Sequence, residues 1–279
     1  MARRKDKRKQ EEAVRARKTA TGRSLLTVIA GGFVVVVMVV AVALTVVLTS
    51  GADNDSGSPP TGKTAIIVDQ LSLTVPNPDF ISEARATLTE AGYFVDYVPG
   101  EKVTVDLYRR LPDRGYDIIL LRVHAGITTE VDAETGEKTG TEYVSLFTGE
   151  PYDETKYSSE QLNRLGAARY TEDSDPLFGI GPAFVEDAME GDFDDALVVM
   201  MGCDGLRSQR TAEAFLDRGA SAFVSWSQPI SGPHTDMATE LLLQRLLIEG
   251  KPVEQAVAET AAEVGPDPVY EGELRVLTG

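Results

Sequence analysis

The 279-residue chain contains one cysteine, two histidines and one tryptophan. A single thiol excludes an internal disulfide and any multi-cysteine zinc site. Positive charge is scarce through most of the length: residues 51–279 hold 17 Lys+Arg against 41 Asp+Glu, a balance of −24. Phosphate backbones select clustered Lys and Arg, so this acidic segment is not a nucleic-acid-binding domain. Charge of either sign is missing altogether from residues 24–50. No internal repeat is visible, which argues against a solenoid or propeller.

The basic residues gather at the start. Residues 1–23 hold ten Lys or Arg and three acidic residues, Asp6, Glu11 and Glu12, a balance of +7 that brings the chain to its net −17. Residues 25–48 then read LLTVIAGGFVVVVMVVAVALTVVL, 24 positions without charge or proline. As a helix rising about 1.5 Å per residue this run exceeds the roughly 30 Å hydrocarbon core of a bilayer. A cleaved signal peptide is the rival, since Thr49-Ser50-Gly51-Ala52 offers small residues, although a signal's apolar core normally runs about 7–15 residues. The charge asymmetry keeps the N-terminus in the cytoplasm and sends residues 51–279 outside, with the basic arm free to touch anionic lipid. The expected organisation is a basic cytoplasmic arm at 1–23, a transmembrane helix at 24–50, a flexible tether at 51–63 and an extracytoplasmic domain at 64–279. This makes a single-pass protein of the cell membrane. Residues 57–64, GSPPTGKT, fit a P-loop pattern but follow a tether and open AIIVD, which reads as a strand. A phosphate-cradling loop needs a strand before it and a helix after it. Nucleotide binding is therefore not expected, nor is any cofactor or metal.

Beyond the tether, short apolar runs alternate with helical spacing. Strands are expected at 64–69, 94–98, 118–123, 197–201 and 222–225. Helices are expected at 81–91, 105–111, 158–165, 182–189, 211–218, 237–249 and 253–264, and residues 127–157 read as a polar hairpin excursion. Strands apolar on both faces and separated by helices predict an α/β fold with an open, mainly parallel sheet covered by helices on both faces.

In such sheets ligands sit beyond the carboxyl ends of the strands. IILLRV ends in His124-Ala125-Gly126, and LVVMM ends in Gly202-Cys203-Asp204-Gly205. A histidine and the sole cysteine thus follow two buried strands and emerge on one edge of the sheet. A thiol is nucleophilic as thiolate, and an adjacent imidazole can take its proton and later return it to a leaving amine. The flanking glycines would let a substrate backbone approach, and the N–H groups of Gly126 and Cys203 are candidate oxyanion donors. His234 is the rival base. Trp226 either walls a substrate pocket or fills the core.

VVMMGCDG followed by a helix, then GASAFVSW and another helix, resembles the second half of the caspase-like cysteine peptidases. These include the gingipain, clostripain, legumain and separase types and the bacterial CHAT domains. Both strand-end motifs fit, and the stretch 219–226 with Gly250-Lys-Pro-Val-Glu-Gln-Ala is particularly similar to CHAT domains. The resemblance spans roughly residues 64–264. It departs in three places: His-Ala-Gly stands for the commoner His-Gly, Gly202 stands for an alanine often found before the nucleophile, and the caspase Gln before that motif is absent.

The resemblance implies a membrane-anchored cysteine endopeptidase with Cys203 as nucleophile and His124 as base, acting on a peptide or protein substrate. The alternative is an inactive caspase-like or CHAT-like ectodomain that binds a protein or peptide partner. Asp236, Asp69 and Asp204 are candidate pocket carboxylates. Asp236 lies where separase-like relatives carry an Asp that favours a basic side chain, so cleavage after Arg or Lys is expected. Arg122 and Arg207 keep an Asp-directed pocket open as the alternative.

Overall fold

The computed structural model describes residues 62–132, 134–161 and 164–279. The arm at 1–23, the apolar run at 25–48 and nearly all of the tether lie outside these residues. Among the described residues no helix is long and apolar enough to cross a membrane.

Six strands form the main sheet: β1 (Thr64–Asp69), β2 (Phe94–Pro99), β3 (Ile118–Arg122), β8 (Leu197–Met200), β9 (Ala222–Trp226) and β10 (Leu274–Thr278). Their order is β10-β9-β8-β3-β1-β2. Five run parallel, and β10 pairs antiparallel with β9. Every residue of β1, β3 and β9 is buried, which explains their unbroken apolar sequences. Alternate residues serve opposite faces. Ile66, Val68, Ile119, Leu121 and Val198 pack into one core, while Ala65, Ile67, Leu120, Val199 and Trp226 pack into the other. The first core also receives helices α2 (Val105–Arg109), α3 (Pro182–Ala188) and α4 (Arg210–Asp217). The second receives α1 (Pro78–Glu90), α5 (Gly232–Leu243) and α6 (Val253–Val264). The chain is therefore mixed α/β with a mainly parallel sheet between two helical layers.

The excursion after β3 is larger than a hairpin. β4 (Ala125–Val131), β5 (Lys138–Pro151), β6 (Leu165–Ala168) and β7 (Leu177–Ile180) form a second, antiparallel sheet in the order β4-β5-β7-β6. Among the described residues of 158–165 no helix forms, contrary to expectation. Tyr157 takes a left-handed φ of 55°, residues 158–161 and 164 form turns, and Leu165 enters β6; a bulky residue at positive φ does not open a helix. α5 begins five residues earlier than expected because Pro233 occupies its first turn, where a missing N–H costs nothing. It runs on through a π-helical turn at Gln244–Ile248. Thr64 opens a strand, so the GSPPTGKT match presents no helix N-terminus to a phosphate.

Candidate active site

β3 and β8 are neighbours in parallel register, Ile118 opposite Leu197 through Leu121 opposite Met200. The ladder continues one rung further, with the Met201 N–H donating to the Leu121 carbonyl at 2.9 Å. His124 and Cys203 leave the sheet just beyond it. They share a cavity of about 70 Å³ lined by both residues and by Val75, Val123, Met201 and Ile230.

Gly202 brings the two strand ends together. A Cβ there would sit 2.2 Å from the Val123 carbonyl oxygen, and one at Gly205 would sit 2.0 Å from Ser225 Oγ. The expectation that these glycines admit a substrate backbone is therefore corrected. They admit the protein's own neighbouring strands, and an alanine at 202 would push the Cys203 turn away from His124.

His124 is fixed from three sides. Its N–H donates to Gln70 Oε1 at 2.9 Å, and the Gln70 amide donates in turn to the Tyr170 hydroxyl at 2.5 Å. The Tyr170 ring lies 4.7 Å from the imidazole, centroid to centroid. Nε2 is 2.8 Å from Thr74 Oγ1, whereas Nδ1 has no hydrogen-bond partner among the described residues. Burial, reinforced by the positive charge of Arg122, lowers the imidazole from 6.5 to about 4. The Cys203 thiol is raised above its ordinary value, first by burial. Its Sγ accepts from the Ile230 N–H at 3.5 Å and lies 3.7 Å from the Ile230 carbonyl. No hydrogen bond joins thiol to imidazole, and both shifts favour the neutral forms.

Gly126 is poorly placed as an oxyanion donor. The Phe147 N–H donates to the His124 carbonyl, and the carbonyls of Val144 and Glu142 accept from Thr211 and Ser208. Antiparallel alternation then puts Gly126, opposite Ser145, at a position bonded to β5, and turns the Ala125 N–H toward the open edge of β4. The Cys203 N–H has no acceptor among the described residues. The N–H groups of Ala125 and Cys203, beside His124 and in Cys203 itself, are thus not committed to hydrogen bonds of the fold among the described residues.

The other expected site residues lie elsewhere. Arg122 is 0% exposed and carries a buried ion cluster. Its Nε and Nη2 donate to the two oxygens of Asp236 at 2.8 and 2.9 Å, its Nη1 to Asp69 at 2.7 Å, and its Nη2 also to the Val75 carbonyl at 2.9 Å. Tyr97 and Asn77 supply further donors to Asp69 and Asp236. Both carboxylates are internal partners of an arginine, with both oxygens of each engaged; Asp69 also lines a separate cavity of about 350 Å³ with Asn77, Ile81, Arg85 and Tyr97, whereas neither lines the cavity of Cys203 and His124. Trp226 is core, its Nε1 donating to Thr235 at 2.9 Å. His234 is buried against Trp226 and bonds the Gly265 carbonyl, away from the thiol's cavity. Asp204 takes a left-handed φ of 60° beside Cys203, lies outside the cavity lining, and has Arg207 at 3.6 Å. Burial raises its carboxyl above the usual range.

Sequence reasoning missed Gln70, Thr74 and Tyr170. Gln70 follows β1 at the same sheet edge as His124, so the strand-end rule could have flagged it. Thr74 and Tyr170 lie in loops with no comparable signal. Asp267 was missed as well: it accepts from the Ser231 N–H and hydroxyl and from the N–H groups of Val269 and Tyr270. These bonds hold it down at about 2 despite burial, and they anchor the loop that carries Ile230 against the thiol. Among the described residues no three His, Cys, Asp or Glu side chains converge to hold a metal ion.

Fold and site together define an α/β domain with a thiol and an imidazole at neighbouring strand ends. No protein-family model matches the chain, and a search of curated proteins finds no match.

Proposed function

We propose that this chain is a membrane-anchored cysteine endopeptidase of caspase-like fold, with Cys203 as nucleophile and His124 as general base and acid. The observation that carries the reading is the shared cavity: two adjacent parallel strands bring the only cysteine and one of two histidines to its wall. In the tautomer whose Nε2–H donates to Thr74 Oγ1, Nδ1 holds the lone pair that accepts the thiol proton. The sulfur then bonds to the substrate carbonyl carbon. The negative charge moving onto the carbonyl oxygen is met by the N–H groups of Cys203 and Ala125. The imidazolium returns its proton to the leaving amine as the C–N bond breaks, leaving a thioester. Water hydrolyses the thioester, with the imidazole again acting as base. Cleavage after basic residues finds no support in the geometry, because every carboxylate oxygen of Asp236 and Asp69 is already taken by Arg122, Tyr97 or Asn77.

The neutral state of the pair sets the pH dependence. A base whose value is lowered stays unprotonated at lower pH, so kcat/KM should hold as pH drops below 6.5 and fall only through about 4. An acid limb near 6.5 would show that burial does not govern His124. The same lowering weakens the fold between those values, because the unfolded chain there binds a proton that the folded one does not.

The rapid alkylation expected of a preformed thiolate is not what this environment gives. Iodoacetamide should react slowly with Cys203 at neutral pH and faster as the medium becomes alkaline. The thiol's engagement with Ile230 rather than His124 favours the second reading, a non-catalytic ectodomain that binds a protein or peptide. A peptidyl chloromethyl ketone separates the two: an enzyme is labelled quickly at Cys203, and a binder is not.

Residues 25–48 are proposed to anchor the domain, with the basic arm in the cytoplasm and the acidic domain outside. Protease added to intact cells should remove the domain and spare an N-terminal tag. Survival of the whole domain would reverse the orientation.

A further inference from the structure

The geometry points to a small, uncharged residue on the acyl side of the cleaved bond. The inference rests on the peptidase reading and adds the substrate class. The cavity walled by both Cys203 and His124 has a volume of about 70 Å³. That is less than half of the about 150 Å³ in which a dry protein cavity holds a benzene ring. The side chain attached to the attacked carbonyl enters this space first. A group of one to three heavy atoms fills it, whereas a phenylalanine ring or an arginine has to extend past its mouth into solvent.

Chemistry excludes charge independently of size. Leu71, Val75, Val123, Met201 and Ile230 present apolar surface, and no Asp, Glu, Lys or Arg side chain lines the cavity. Asp69, Asp236 and Arg122 form a buried cluster of net charge −1 whose carboxylate oxygens are all taken by protein donors, and Asp204, although next to Cys203, stays outside the lining. An ammonium or carboxylate entering here would lose its hydration and gain no counter-charge. The cavity therefore rejects both the basic and the acidic side chains that the sequence alone leaves open.

Two wall positions set the size. Val75 is 39% exposed, so trimming it costs little stability while widening the cavity. Gly232 narrows it when substituted, since a Cβ there would lie 3.1 Å from Val75 Cγ1.

The test uses the full-length chain and a series of fluorogenic peptides that differ only in the residue before the scissile bond. Ala should exceed Arg, Lys, Asp and Phe in kcat/KM by about tenfold or more. Val75→Ala should raise the Leu-to-Ala ratio by a similar factor, and Gly232→Ala should lower turnover of the Ala peptide relative to Gly. Faster cleavage after Arg, Lys or Asp, or a profile unchanged in Val75→Ala, overturns this inference and leaves the peptidase standing. Hydrolysis of no member of the series overturns both.

Discussion

Cys203→Ala is expected to reduce peptide hydrolysis by roughly 10⁴-fold or more while the domain stays folded, because nucleophile and base act as a unit. Only the sulfur is removed, and its partners are the weak contacts to the Ile230 backbone. The fold loses about 1 kcal/mol at most, in line with small truncations at partly buried sites. His124→Ala should cost a comparable factor, and the double variant should be no worse than either single one, since neither group works without the other. The measurement is kcat/KM for each variant alongside its thermal midpoint. His234→Ala supplies the contrast. It disturbs packing against Trp226 and the bond to Gly265, so it should lower the midpoint more than the rate. Full activity in Cys203→Ala would remove the peptidase reading. A larger rate loss in His234→Ala than in His124→Ala would move the base.

The parts of this fold that were legible in the sequence are those whose residues serve one environment. β1 and β3 are buried on both faces, so each reads as a continuous apolar run, and α6 shows its buried face at Ala256, Val257 and Thr260. Placing His124 and Cys203 on one edge needed only that β3 and β8 be adjacent and parallel. The second sheet was harder to read. β6 is LGAA and β7 is LFGI, four residues each, too short and too rich in Gly and Ala for a period of two to emerge. β10 depends on the free edge of β9 rather than on any pattern of its own. The roles of Asp69 and Asp236 were illegible for a different reason. A strand-end carboxylate looks the same whether it awaits a substrate cation or already holds one from the chain, and the arginine that decides the matter lies 53 and 114 residues away in sequence.

That arginine gives the largest expected effect on stability. Arg122→Met should destabilise the domain by about 3–5 kcal/mol, because it strands two buried carboxylates without a cation. For a domain of this size the thermal midpoint should fall by roughly 6–20 °C. Asp69→Asn and Asp236→Asn added to Arg122→Met should recover most of the loss, since the three apolar or neutral side chains then leave no unpaired charge. Activity should not return with the fold. Arg122 Nη2 also holds the Val75 carbonyl, and Val75 belongs to the same strap as Thr74, whose hydroxyl holds His124 Nε2. With that tie gone, the strap no longer fixes the imidazole, so the triple variant should be folded but slow, with kcat reduced more than KM is raised. Asp236→Asn alone should leave the preference for the residue before the scissile bond unchanged while lowering stability. A shift of that preference would return Asp236 to the substrate pocket. An Arg122→Met variant within about 1 kcal/mol of the parent would mean that water reaches the two carboxylates, and that the cluster does not hold the strap in place.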